Sequence, residues 1–263
     1  MRITRIGGPT AFIELAGWRI LTDPTFDPPG RTYSFGLGTS STKVVGPAIP
    51  LDALEPVDIV LLSHHGHADN LDDAGREGLA KAATVLTTRA GAKALRHPDI
   101  RGLAAGERVT FEANGKPSLT ITATPGRHGA PLTLPIVGPV IGFSLALDGA
   151  ERPALWMTGD TRLSGPVRAY ATDLAPEVAL VHIGAVRFGL SGPLRYTMDV
   201  EEAAELIRIT KPDVVVPIHV EGWSHFSEQE DAAHRAFEAA PATVSERVRW
   251  APLGEALDPG SAS

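Results

Sequence analysis

Three histidines fall within four residues, at positions 64, 65 and 67, in the run Ser63-His64-His65-Gly66-His67-Ala68-Asp69-Asn70. The chain carries nine histidines and no cysteine, so a transition metal here must be held by imidazole and carboxylate. In extended chain, residues i and i+2 point to the same side. His65, His67 and Asp69 can therefore share a face, with His64 turned away unless the chain bends after it. Further on, Asp160 follows Gly159, His182 and His219 each end an apolar run, and His128 sits in the loop Pro125-Gly126-Arg127-His128-Gly129. A divalent ion bound by neutral imidazoles and carboxylates lowers the pKa of its water toward about 7, which gives a nucleophile for a carbonyl or phosphoryl centre at neutral pH. Asp69 is the candidate catalytic residue, orienting that water and passing its proton to a leaving group.

Buried strands must deliver these side chains. Ile59-Val60-Leu61-Leu62 runs into the histidine cluster, and Leu155-Trp156-Met157 runs into Thr158-Gly159-Asp160. Val178 to Val181 ends at His182, and Val214 to Ile218 ends at His219. Continuous apolar runs of this length read as strands buried on both faces, and ligands commonly bind beyond the carboxyl ends of such strands. The first fifty residues read differently. Ile3–Ile6, Ala11–Ala16 and Trp18–Leu21 are short strands separated by Gly7-Gly8-Pro9 and Gly17, with a hairpin at Glu14 to Trp18. Residues 24 to 50 are rich in Pro, Gly, Ser and Thr, and are predicted to form a long loop whose Phe26, Tyr33 and Phe35 wall a pocket. Helices are predicted over Leu71–Ala83, from an Asp199 cap to about Thr210, and over Glu228–Ala239. No linker divides the chain, so residues 1–263 read as one domain with a loose tail from about 252.

Composition narrows the classes. With 24 Lys+Arg against 31 Asp+Glu the formal charge is −7, which argues against nucleic-acid or anionic-membrane partners that need a basic face. The missing cysteine removes disulfide scaffolds, thiolate zinc sites and thiol nucleophiles. No apolar run reaches the roughly 20 residues of a membrane span, and no secretory pattern follows Met1, so the expectation is a cytoplasmic enzyme acting on a small molecule. Composition and pattern leave the oligomeric state open. Arg127, Arg162, Arg187 and Arg195 lie near strand ends or loops, where one or two could meet a carboxylate or phosphate.

In order and spacing these motifs resemble the metallo-β-lactamase fold hydrolases. The matching pieces are His65-Gly66-His67-Ala68-Asp69-Asn70, His128, Gly159-Asp160 and His219. To these are added the opening Ile6-Gly7-Gly8-Pro9-Thr10-Ala11-Phe12-Ile13-Glu14, Leu21-Thr22-Asp23-Pro24, and Tyr196-Thr197-Met198-Asp199. The resemblance covers about residues 3 to 226 and is nearest to the branch holding the ascorbate-phosphate lactonase and the N-acyl ethanolamine phospholipase D. It implies an α+β fold, the αββα sandwich, with two mixed β-sheets face to face and helices on the outer faces. It also implies one or two divalent ions, zinc above all, with manganese or iron as alternatives. On this resemblance His65 (or His64, if the motif is aligned from its left end), His67 and His128 hold one metal. Asp69 and His219 hold a second, Asp160 bridges, and a metal-bound hydroxide attacks an ester, lactone or phosphodiester.

The sequence departs from the family pattern. Asn70 stands where a last histidine belongs, and Gly8-Pro9 replaces a histidine-containing turn. An amide oxygen is a poorer zinc ligand than imidazole. His225, six residues past His219, could return to the metal edge and replace what Asn70 lacks. Asp23 and His182 are candidates for supporting the ligands from behind, while His97 and His234 read as surface residues. Two rivals remain on sequence grounds. An amidohydrolase-type barrel also opens with His-x-His, but there the motif follows the first strand and a lone Asp comes last. A degenerate member that binds a ligand or partner without catalysis is the other, motivated by Asn70.

Overall fold

Each strand that carries a ligand-type residue at its end is buried on both faces, and this explains its unbroken apolar sequence. Ile59 and Leu61 point into one core and Val60 into another; Leu155 and Met157 likewise oppose Trp156. The computed structural model describes residues 1–36, 38–130, 133–189, 192 and 194–261.

The chain opens with an antiparallel meander, β1 (Arg2–Gly7), β2 (Thr10–Leu15) and β3 (Trp18–Thr22). A separate hairpin follows, β4 (Thr32–Gly36) and β5 (Thr39–Thr42). Then come β6 (Val57–Leu61), α1 (Asp73–Gly78), β7 (Ala82–Thr88), α2 (Arg89–Ala94) and β8 (Ile100–Leu103), whose strands run parallel to one another and to β3. The second half holds β9 (Arg108–Ala113), β10 (Lys116–Pro125), α3 (Leu134–Val137), β11 (Ile141–Leu147), β12 (Leu155–Met157), α4 (Gly165–Thr172), β13 (Val178–His182), α5 (Val200–Thr210) and β14 (Val214–Ile218). It closes with α6 (Glu230–Glu238), α7 (Ala242–Ser245) and β15 (Ala256–Leu257).

Two mixed sheets result, in the orders β15-β1-β2-β3-β6-β7-β8 and β14-β13-β12-β11-β10-β9. Their inner faces share one core, in which Ile13, Ile20, Ile59 and Leu61 of the first sheet meet Ile121, Phe143, Leu155 and Leu180 of the second. On the outside of the second sheet, Trp156, Val181 and Val215 pack under Val167 of α4, Leu206 and Ile207 of α5, and Phe237 of α6. On the outside of the first, Leu21, Val60 and Val85 meet Leu71, Leu79 and Leu95 around α1 and α2. This is the αββα sandwich. Strands β12, β13 and β14 are parallel, with Met157 opposite Leu180 and His182 opposite Ile218, so Asp160, His182 and His219 arrive at one edge. Strand β6 of the facing sheet brings His64 to the same place.

Three elements differ from the sequence reading. The helix expected over Leu71–Ala83 is only six residues of α-helix, followed by a tighter turn at Leu79–Lys81. Gly75 explains part of this: a Cβ there would stand 1.9 Å from the Pro24 carbonyl oxygen, so α1 is pressed against the chain leaving β3, and glycine weakens the helix it allows to dock. The long loop contains the β4–β5 hairpin, hidden because its Ser- and Thr-rich strands show no apolar alternation. The tail marked as loose from 252 pairs with β1, Ile3 against Leu257, and the Gly254 amide donates to the Arg5 carbonyl.

Candidate metal centre

The chain does not stay extended after Ser63. The amides of Asn70 and Leu71 both donate to the His67 carbonyl, and this turn removes the alternation on which a shared face for His65, His67 and Asp69 depends. His64 and His67 come together instead. His64 Nε2 lies 3.0 Å from His67 Nδ1, and His128 Nε2 lies 3.1 Å from the same atom. His65 stands outside this group: it is half-buried, and its carbonyl accepts from Arg76. Of the two histidines left open as the start of the motif, the structure brings His64, and not His65, beside His67 and His128. Beside the three imidazoles, Asp69, Asp160 and His219 form a second buried group, with ligand atoms all within 4.8 Å of one another. His219 Nε2 is 3.4 Å from Asp160 Oδ2 and 3.5 Å from Asp69 Oδ2.

The outer contacts fix which nitrogens face inward. His128 Nδ1 is 3.0 Å from the Tyr196 carbonyl, an acceptor only, so it carries the proton and Nε2 presents a lone pair. His219 Nδ1 meets the Ile183 carbonyl at 3.3 Å in the same way, and His64 Nδ1 sits 3.1 Å from Ser63 Oγ. His219 holds a left-handed backbone (φ 59°), and its amide donates to the Gly8 carbonyl. A non-glycine residue in that region costs roughly 1 kcal/mol or more and persists where the surroundings demand it. Gly159, just before Asp160, also has positive φ (64°), and a Cβ there would stand 2.6 Å from the Ile141 carbonyl oxygen.

Electrostatics sort the two groups. Burial, reinforced by the neighbouring imidazoles, drives His64 well below its ordinary pKa and His128 down to about 3; burial also lowers His67. All three are neutral, the ligand-competent form. Asp160 is raised by burial to about 6. Burial would raise Asp69 too, but the imidazoles of His219 and His225 outweigh it and hold the carboxyl well below its usual range. For His219 burial acts downward, and the Asp160 and Asp69 carboxylates overturn it, lifting the imidazole to about 9.

Two observations test whether a divalent ion fits. Both Asp160 carboxylate oxygens, Asp69 Oδ1 and His219 Nε2 are buried without a hydrogen-bond partner, which is costly unless something else satisfies them. Three buried imidazoles also converge, with His64 Nε2 and His128 Nε2 each about 3 Å from His67 Nδ1 and all three ligand atoms within 4.8 Å of one another. The residues fit a metal.

The supporting candidates fall in distinct places. Asp23 accepts the Ser63 amide on Oδ1 at 2.7 Å and faces His182 Nε2 with Oδ2 at 3.3 Å. Burial raises Asp23 to about 7 and lowers His182 to about 3, so the pair braces the strand ends without joining either ligand group. Asn70 is turned toward Ser63 Oγ at 3.4 Å, its Oδ1 unpartnered, and is in neither group. His225 does return to this edge. Its Nε2 meets Asp69 Oδ2 at 3.0 Å, its Nδ1 bonds the Ser41 hydroxyl, and its ring stacks on Phe188. The sequence does not single out Ser41 or Phe188, because neither has a residue type or spacing that marks it.

Residues 18–220 match the family described as the Beta-lactamase superfamily domain. The chain belongs to the β-lactamase superfamily. Among relatives, a UPF0173 metal-dependent hydrolase of Methanopyrus kandleri is 28% identical over 233 residues, covering 83% of this chain and 84% of its own length. Among solved structures, the isothiocyanate hydrolase from Delia radicum gut bacteria superposes with a TM-score of 0.80 at 21% identity, over 98% of both chains. The metallo hydrolase Igni18 of Ignicoccus hospitalis superposes at 0.67 with 22% identity over 97% of both. At those identities the superpositions establish the metallo-β-lactamase fold. With the family match and the relatives, the chain is a metal-dependent hydrolase of that superfamily. Among the described residues, no helix is long and apolar enough to cross a membrane.

Proposed function

We propose that the chain hydrolyses an ester, lactone or phosphodiester of a small molecule, with one or two divalent ions, zinc above all, held at the histidine and aspartate edge. The convergence of His64 Nε2, His67 Nδ1 and His128 Nε2 beside Asp69, Asp160 and His219 carries this reading. His64, His67 and His128 would hold one ion, and Asp69, Asp160 and His219 would serve a second. When bound, the metal supplies Lewis acidity and lowers the pKa of water.

The chain's own residues do the rest. Asp69 lines the pocket that opens onto this edge, and its Oδ1 is unpartnered while Oδ2 faces His225 Nε2. The carboxylate is thus placed to orient the attacking water and to relay a proton toward the leaving group. His225, fixed by the Ser41 hydroxyl, keeps the carboxylate from rotating. Neutral His67 and His128 at the pocket floor add no competing charge.

Metal-replete protein assayed on a nitrophenyl ester, a lactone and a bis-nitrophenyl phosphate tests the reading. Asp69→Asn should lower kcat by at least about a hundredfold on whichever substrate turns over, the usual size of a lost acid–base group. A fully metal-loaded protein that hydrolyses none of them would instead favour a binding member of the fold, the reading that the unligated Asn70 supports.

A further inference from the structure

The pocket above the metal edge has its own chemical bias. It is a small pocket of about 50 Å³ that opens to solvent on one side. Beyond His67, Asp69 and His128, and apart from Gly36 and the hydroxyl-bearing Thr39, its walls are Phe35, Val137, Val186, Phe188 and Tyr196. Phe35 and Phe188 lie 5.3 Å apart between ring centroids, Phe188 and Tyr196 5.9 Å, and Phe35 leans over His67 at 5.5 Å. The rings thus form a continuous apolar wall that starts at a candidate ligand.

No arginine or lysine lines this pocket among the described residues. The arginines that sequence brought into question are placed elsewhere. Arg162 is taken by Glu202 with Nε–Oε2 at 3.0 Å, and Arg195 is paired with Asp199 at the start of α5. Arg187 is exposed, and Arg127 does not line the pocket. The polar groups His67, Asp69 and His128 that line it belong to the metal edge itself. A substrate bearing a carboxylate or phosphate away from its reacting centre would leave water for an apolar wall with no counter-charge, a transfer that costs several kcal/mol unless the charge is paired.

We propose that the substrate is a neutral ester or lactone whose apolar or aromatic group lies against Phe35, Phe188 and Tyr196, and that anionic substrates are rejected. The inference rests on the hydrolase reading and narrows it. In the reaction, water oxygen bonds to the carbonyl carbon and the ester C–O bond breaks. One water proton leaves with the alcohol and the other stays with the carboxylic acid product.

The test compares 4-nitrophenyl butyrate with its carboxylate-bearing counterpart, 4-nitrophenyl hemisuccinate, on metal-replete protein, with bis(4-nitrophenyl) phosphate as a third arm. Leaving group and ester are the same in the first two, so their ratio reads the pocket. The neutral ester should have a kcat/KM at least about tenfold higher, a discrimination expected when a charge meets an apolar wall. Phe188→Arg should narrow or invert that ratio, whereas a general folding defect lowers both rates together. Metal-free protein gives a second readout, in which ligand-observed NMR should show saturation transfer to benzyl alcohol and not to benzoate. Equal or better turnover of the hemisuccinate or the phosphodiester overturns the inference and leaves the hydrolase reading intact. Failure to hydrolyse all three, with transfer to benzyl alcohol alone, supports the pocket's preference and overturns the hydrolase reading.

Discussion

Replacing Arg5 with methionine should destabilise the protein through the loop that carries His219. Arg5 is 1% exposed, at the centre of β1. Its guanidinium reaches Glu230 Oε1 at 2.6 Å, the Ala251 carbonyl at 3.0 Å and Glu221 Oε2 at 3.0 Å. Glu221 also accepts the Gly8 amide at 2.7 Å, and the Gly8 carbonyl accepts the His219 amide at 2.8 Å. Removing one partner of a buried ion pair costs about 3–5 kcal/mol, because the charge left behind has lost its compensation. The lower end applies here. Glu230 is one-third exposed and can rehydrate, and the Arg5–Glu221 contact is an ion pair without hydrogen-bond geometry. About 3 kcal/mol corresponds to a fall in Tm of roughly 6–12 °C for a chain of this size. Urea titration and calorimetry of metal-free protein measure it. The double variant Arg5→Met/Glu221→Gln should recover on the order of 1–2 kcal/mol of the loss, since neutral Gln can still accept from Gly8 and no longer strands a charge. A single-variant loss below about 1 kcal/mol, the scale of a surface pair, or strictly additive variants, would refute the reasoning.

Other expectations follow from the same geometry. Gly159→Ala should cost at least about 1–3 kcal/mol, since a Cβ at φ 64° collides with the Ile141 carbonyl, and should reduce metal content by displacing Asp160; a wild-type urea midpoint would contradict it. Asp27 should make the loop anchor acid-labile. Burial pushes its carboxyl up, but bonds from Tyr33, Ala74 and Asp73 outweigh this, and its folded pKa lies below 3.8. Its contribution is therefore present above about pH 4 and lost as pH falls through the folded value. The stability gap between wild type and Asp27→Asn should be full at pH 7 and shrink by pH 3, and a gap that does not change with pH would count against it. His65→Ala should keep the metal content of the wild type while His128→Ala loses most of it, as read by elemental analysis after dialysis. Equal losses would put His65 back among the ligands.

Much of the frame is visible in the sequence because the strands that matter are buried on both sides. Such strands write themselves as unbroken apolar runs, and the residues just past each run lie at one end of the sheet; the histidine cluster after Leu62, Asp160, His182 and His219 were legible for that reason. The register at 64–67 was not. Counting by twos assumes an extended chain, and the hydrogen bonds that bend it at His67 are backbone contacts with no sequence mark. The β4–β5 hairpin was hidden because its Ser and Thr residues are polar on both faces, so no period shows. His225 could be singled out from its distance to His219, but its partner Ser41 lies 184 residues away on that hairpin. The aromatic wall needs three separate segments, around 35, 188 and 196, to meet in space. Of the loop aromatics Phe26, Tyr33 and Phe35 expected to wall a pocket, Phe35 lines it, while Phe26 and Tyr33 are buried in apolar clusters.

This edge should hold a metal through three particular nitrogens. An anomalous-difference map from crystals of metal-replete protein, recorded above and below the metal's absorption edge, tests it most directly. The account predicts a peak about 2.0–2.1 Å from each of His64 Nε2, His67 Nδ1 and His128 Nε2 if the ion is zinc. A peak ligated by His65, or none at this edge in protein shown to carry a full equivalent of metal, would contradict it.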